Sequence, residues 1–204
     1  MSRLVESIRI SGGRFWNLDL HEARANHSLK TVFGISRPLD LSTALHDIIP
    51  AGRGTYKCRV LYRDTVEEIT VTPYRVRPIQ TAMTVVSNDI EYTHKYEDRP
   101  GLDRLYAMRG VCDEIIVIKN GLVTDAFYYN LLFEKDGHLF TPATPLLKGV
   151  QRELLLIKGK VTLRDIRMEE ISDYDKIHFV NALTLPGKAV ITPRDIFHHN
   201  SLPC

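Results

Sequence analysis

The chain has 204 residues, with 27 basic and 25 acidic side chains, a formal net charge of +2, and 44% hydrophobic and 25% charged residues. That length can bury a core as one large domain or two smaller ones, and the small, scattered charge argues against nucleic acid or an anionic membrane as the main partner. Cys58, Cys112 and Cys204 lack metal-like spacing, so neither a disulfide frame nor a metal site is expected; with no secretory h-region and no long apolar run, the expected location is the cytoplasm.

In chain order, Leu4 to Ile10 alternates apolar and polar residues, and Ser11-Gly12-Gly13 turns it toward Arg14-Phe-Trp16, which reads as a hairpin. Asp19 is expected to cap a helix with Leu20, Ala23, His27 and Lys30 on one stripe, closed by Gly34. Asp40 is expected to cap a second helix through Ile48 and Ile49, ended by Pro50 and Gly52. Two strands, Tyr56 to Arg63 and Glu67 to Tyr74, complete a compact α+β unit. The pattern then becomes mostly strands, with helices near Leu102 to Arg109 and Val150 to Ile157. The expected boundary lies at residues 78 to 82, giving a small α+β domain over 1–80 and a larger, mostly β domain over 81–204.

The stretch from Asp113 to Glu153 carries the most information. Two hairpins are expected there, one turning at Asn120-Gly121 and one at Asp136-Gly137, because both pairs supply the positive φ of a tight turn. Pro142 and Pro145 then stop the sheet, and Gly149 opens an apolar helix whose first N–H groups form an anion site. Asp125 falls near a strand end, one hairpin upstream of that helix.

These parts, Gly121-Leu-Val-Thr-Asp125, Asn130-Leu-Leu-Phe133, Thr141-Pro142 and Leu147-Lys-Gly-Val-Gln-Arg152, resemble the motifs of the class IV aminotransferase family in the family's order. The resemblance implies a two-domain, fold-type IV (D-amino acid aminotransferase-like) α+β enzyme using pyridoxal 5′-phosphate (PLP), with the cofactor between the domains, a small-molecule amino substrate and a homodimeric assembly. Relatives begin roughly twenty residues earlier and carry a longer loop before the second domain, so the chain reads as a shortened version.

The resemblance also assigns roles. Lys95, in a segment like Lys-x-x-Asn-Arg with Asp98 at the Asn position, would bond the cofactor aldehyde and act as general base; taken alone it reads as a surface lysine in a polar loop. Asp125 would face the pyridine nitrogen, one methylene shorter than the usual Glu. Arg24, in His21-Glu-Ala-Arg24, and the backbone at Gly149, Val150 and Gln151 would hold the phosphate. Without the resemblance Arg24 reads equally as a solvated helix arginine, and His21 is read as structural. Asn181 and Ala182, in Asn181-Ala-Leu183, are similar to a segment of aminodeoxychorismate lyases and would lie near phosphate and substrate. Arg9 and Arg59 are candidates for a substrate carboxylate or are outward charges. The leading expectation is an aminodeoxychorismate lyase-like reaction giving 4-aminobenzoate for folate synthesis. The rivals are an aminotransferase acting on branched-chain or D-amino acids and a non-catalytic binding module of the same fold.

Overall fold

The structure, a computed structural model, describes residues 2–48 and 52–198. The chain divides into two compact units. The first runs to Arg75 and includes His94–Asp98; the second comprises Val76–Thr93 and the chain from Arg99 onward.

In the first unit, strand β1 (Leu4–Ser11) turns through glycines 12 and 13 into the short β2 (Arg14–Phe15), followed by helix α1 (Leu18–Phe33), helix α2 (Leu41–Ala44), β3 (Thr55–Tyr62) and β4 (Val66–Pro73). The strands form an antiparallel sheet in the order β2-β1-β3-β4, with Leu4 opposite Tyr62 and Ser11 opposite Thr55. Period-two alternation sends Leu4, Ile8 and Ile10 to one face, where they pack with Ala25, Leu29, Leu41, Leu45, Cys58, Val60 and Tyr62. Glu6 is on that same face and is fully buried.

Helix α1 departs from expectation at its start and on its inner face. Its N-cap is Asn17, in the left-handed conformation at φ 55°, and Asp19 lies inside the first turn, where its charge still favours the helix N-terminus. The buried stripe is His21, Ala25, Ser28 and Leu29, while Ala23, His27 and Lys30 face solvent. The cause is His21, drawn inward by Glu6, which rotates the stripe by one residue. Gly34 closes the helix in the left-handed region, as expected. Asp40 caps α2 by accepting the Thr43 N–H at 2.8 Å, but α2 ends at Ala44. The expected end of that helix at Ile49 and Pro50 lies outside the described residues.

In the second unit, β5 (Ala82–Val86), α3 (Pro100–Ala107), β6 (Glu114–Lys119), β7 (Leu122–Ala126), β8 (Asn130–Lys135), β9 (His138–Pro142), α4 (Val150–Ile157), β10 (Thr162–Arg164), β11 (Lys176–Val180), β12 (Val190–Ile191) and β13 (Ile196–His198) follow in turn. The strands lie in the order β10-β9-β8-β7-β6-β5-β13, with β11 pairing both β8 and β12. Both expected hairpins form: Asn120 and Gly121 have φ 52° and 78°, and Asp136 and Gly137 have 50° and 74°, the double positive φ that matches the strand twist. The core gathers Ile116, Ile118, Leu131, Phe133, Ile177 and Phe179.

The expected boundary at residues 78 to 82, with Lys95 in the larger domain, differs from this division. Short β2 pairs only with Ile10 and Ser11, which leaves the beginning of the same β1 edge open. Residues 95–97 use it: the Val5 N–H donates to the Lys95 carbonyl at 2.9 Å, the Glu97 N–H donates to the Arg3 carbonyl at 2.8 Å, and Leu4 bridges Tyr96. An open strand edge recruits a backbone partner, and here the partner is the segment carrying Lys95.

Candidate active site

In the first unit the site is built on Glu6. A carboxylate buried on the apolar face of a strand needs compensation, and α1 supplies it. The Arg24 Nε donates to Glu6 Oε1 at 2.9 Å, its Nη2 donates to Oε2, and His21 Nδ1 meets Oε2 at 2.6 Å. Burial by itself would raise the Glu6 carboxyl, but the charge of Arg24 and the bonds from His21 and Arg24 outweigh it and hold Glu6 at about 2. Burial pushes His21 down, with the positive charges of Arg24 and Lys95 adding to it, so the imidazole is neutral at pH 7. An ionised carboxylate can only accept, so His21 Nδ1 carries the proton. Its bare Nε2 is buried without a hydrogen-bond partner among the described residues.

Lys95 is half-buried at the end of the strap anchored on Val5. The structure therefore brings Lys95, His21, Arg24 and Glu6 into one neighbourhood of this unit. Arg9 and Arg59 point to the other face of the sheet, out of phase with Glu6. Arg59 Nη2 donates to Glu97 Oε1 at 2.8 Å, and Arg3 holds the same carboxylate through Nε at 2.7 Å. These bonds, Arg59 first, pull the Glu97 carboxyl below its usual range. Arg9 lies 4.9 Å from the centre of the Trp16 ring, with Nε and Nη1 buried and unpartnered among the described residues.

In the second unit Asp125 is buried at the end of β7. Its Oδ1 accepts from Asn130 Nδ2 at 2.7 Å and its Oδ2 from the Leu147 N–H at 2.8 Å. The Asn130 amide also donates to the Leu147 carbonyl at 2.8 Å, so one side chain ties β7, β8 and the approach to α4 together. Burial lifts Asp125 to about 6 despite those bonds and the charge of Arg152. Gly149 is the N-cap of α4, and no side chain caps that helix. The Val150 and Gln151 N–H groups have no acceptor within the helix, and both residues are buried. A Cβ on Gly149 would stand 2.0 Å from Asn130 Oδ1, so this position requires glycine for close approach.

Asn181 shapes a turn after β11. Its Oδ1 accepts the N–H groups of Leu183 at 2.9 Å and Thr184 at 2.8 Å, and its amide donates to the Tyr128 carbonyl at 3.2 Å. Ala182 sits half-buried within that turn. His178 holds the other end of the loop, accepting the Gly187 N–H at 3.1 Å and meeting Glu134 at 2.9 Å.

Two residues that organise these clusters escaped the sequence reading. Glu6 was legible as an acid in phase with Leu4, Ile8 and Ile10 on an otherwise apolar strand face. Asn130 was visible as part of a motif, but nothing in the sequence states that its amide reaches Asp125. Among the described residues, no cluster of His, Cys, Asp or Glu could hold a metal ion, and no helix is long and apolar enough to cross a membrane.

These parts fit PLP. An uncapped helix start with buried residues suits a phosphate, a buried carboxylate that is short of cationic contact suits a protonated ring nitrogen, and a half-buried lysine amine suits the aldehyde. Comparison with known proteins agrees. The pattern of the amino-transferase class IV family matches residues 3–189, and the chain belongs to that family; it is a PLP-dependent enzyme. An uncharacterized protein of Haemophilus influenzae is 38% identical over 185 residues, 90% of this chain and 98% of the relative. A crystal structure of a candidate 4-amino-4-deoxychorismate lyase from Haemophilus somnus is 32% identical with a TM-score of 0.85, covering 91% of this chain and 98% of that one. The PLP-bound form of a hypothetical aminotransferase from Mycobacterium tuberculosis shares the fold at 17% identity and a TM-score of 0.76, over 95% of this chain and 82% of that one.

Proposed function

We propose that this chain is a PLP-dependent lyase that splits 4-amino-4-deoxychorismate into 4-aminobenzoate and pyruvate, serving folate synthesis in the cytoplasm. The observation that carries this reading is the 32% identity, over nearly the full length of both chains, to the Haemophilus somnus structure. The turn built by Asn181 around Ala182 supports it, since its sequence is similar to that of such lyases.

In this reading Lys95 would hold the cofactor at its aldehyde. Arg24 and the N–H groups of Val150 and Gln151, with glycine at 149 allowing the approach, hold the phosphate, and Asp125 holds the ring nitrogen. Bound PLP would supply an electron sink for the pair left when a bond next to the substrate amine breaks. The Lys95 amine would take the proton from the carbon bearing the substrate's amine, and the ether bond to the enolpyruvyl group would break as the ring becomes aromatic. The same lysine returns a proton to the departing enolpyruvate, which becomes pyruvate. A protonated ring nitrogen against Asp125 would favour its ionised form, because a cation within contact lowers a carboxyl pKa. Of the two arginines, Arg9 is the candidate for a substrate carboxylate, because Arg59 is already paired with Glu97 whereas Arg9 Nε and Nη1 have no hydrogen-bond partner among the described residues.

Incubating the purified holoenzyme with 4-amino-4-deoxychorismate tests the assignment. Equimolar pyruvate and 4-aminobenzoate are expected. A keto acid formed from amino acids, with no pyruvate from aminodeoxychorismate, would make the chain an aminotransferase. A homodimer is part of the proposal by analogy with the family, and sedimentation of the holoenzyme at a monomer's mass would remove it.

A further inference from the structure

Glu6 belongs to no motif used above, yet three polar contacts from α1 converge on it. It sits on β1 between Leu4 and Ile8, is fully buried, and takes the Nε and Nη2 of Arg24 with its two oxygens while its Oε2 also receives His21 Nδ1–H. Two parallel bonds fix the plane of a guanidinium as well as its position. A single bond would leave that plane free to turn. His21 closes the arrangement from the next turn of the helix, and the residue before Glu6 anchors the Lys95 strap through the Val5 N–H.

We propose that Glu6 is a positioning residue for the cofactor phosphate: its buried carboxylate fixes the guanidinium of Arg24 and the ring of His21 in one orientation each, and phosphate recognition by Arg24 depends on that. The inference rests on the reading of Arg24 as a phosphate ligand. Without Glu6, Arg24 is a long side chain with many rotamers to lose on binding a dianion. With Glu6, that ordering is complete before the ligand arrives.

The test separates phosphate recognition from stability by comparing PLP with pyridoxal, which lacks the phosphate. Binding to apoenzyme is read from quenching of Trp16, the single tryptophan of the chain. Wild type is expected to favour PLP, and Glu6→Gln to lower that preference about tenfold or more while pyridoxal still binds. Glu6→Asp, which keeps the charge, should recover part of the preference. A Glu6→Gln protein with the wild-type ratio, or one that loses both ligands equally, would overturn the proposal. Arg24→Gln distinguishes the two readings. If it loses the preference while Glu6→Gln keeps it, only the role of Glu6 falls; if it keeps the preference, the phosphate role of Arg24 falls and the inference with it. Should Glu6→Gln fail to fold, nitrogen NMR of the wild-type protein decides. His21 should carry a proton on Nδ1, the nitrogen that meets Glu6 Oε2 at 2.6 Å. An Nδ1 without a proton would show that Glu6 does not hold the ring as proposed.

Discussion

Three buried carboxyls show how the surroundings of a single residue set its chemistry. Glu6 is held at about 2 by Arg24 and His21 against the effect of burial, whereas burial lifts Glu114 to about 7 and Asp125 to about 6. Glu114 Oε1 accepts the N–H groups of Ile115 and Phe127 at 2.9 and 3.2 Å, which is too little to offset its desolvation. Between about 4.5 and about 7 the folded protein keeps a proton on Glu114 that the unfolded chain has released, so this residue costs stability as pH rises through that window. Glu114→Gln keeps an oxygen for both N–H groups and removes the charge. Denaturant titration should therefore show a gain of about 1 to 3 kcal/mol at pH 8 and almost none at pH 4; equal effects at both pH values would contradict the assignment. Glu6 has the opposite sign, its contribution being present above about 4.5 and lost as pH falls toward about 2. Asn130→Ala removes one bond to the buried Asp125 and one to the half-buried Leu147 carbonyl, and leaves Asp125 less satisfied. A loss of about 2 to 4 kcal/mol, with weaker PLP binding, is expected from melting curves with and without cofactor.

At the scale of elements, the hairpins were legible because Asn-Gly and Asp-Gly encode their own turn geometry, and α4 because a Pro-rich stop, a glycine and an apolar run delimit it. The inner face of α1 was not. Apolar periodicity placed Ala23 and His27 inward, but the helix turns on a histidine hydrogen-bonded to a buried carboxylate, which periodicity scores as polar. The strap at residues 95–97 was equally hidden, because pairing with an open strand edge depends on where β2 stops and not on the residues of the strap. The α4 start gives the sharpest element-level prediction. Gly149→Ala drives a Cβ into Asn130 Oδ1, displaces the amide from Asp125 and Leu147, and should cost about 2 to 4 kcal/mol together with PLP affinity. An alanine variant that melts and binds PLP like the wild type would show that Asn130 can move without consequence.

Across the whole molecule, each unit has its own core and its own group of proposed site residues. Lys95, Arg24 and Glu6 belong to the first unit, and Asp125, Asn130 and the α4 start to the second. The family resemblance supplied this grouping of roles, while length, composition and charge alone supplied only a chain long enough to bury a core. A ligand that binds only the folded protein stabilises it by mass action, so PLP at 100 times its dissociation constant should add about 2.7 kcal/mol to stability, and Lys95→Ala should forfeit most of that gain. The most direct measurement is borohydride reduction of the PLP-loaded enzyme followed by peptide mass analysis. The pyridoxyl mass should appear on Lys95 and be absent from Lys95→Ala. An adduct on another lysine, or none at all in a protein that still converts substrate, would contradict the central assignment.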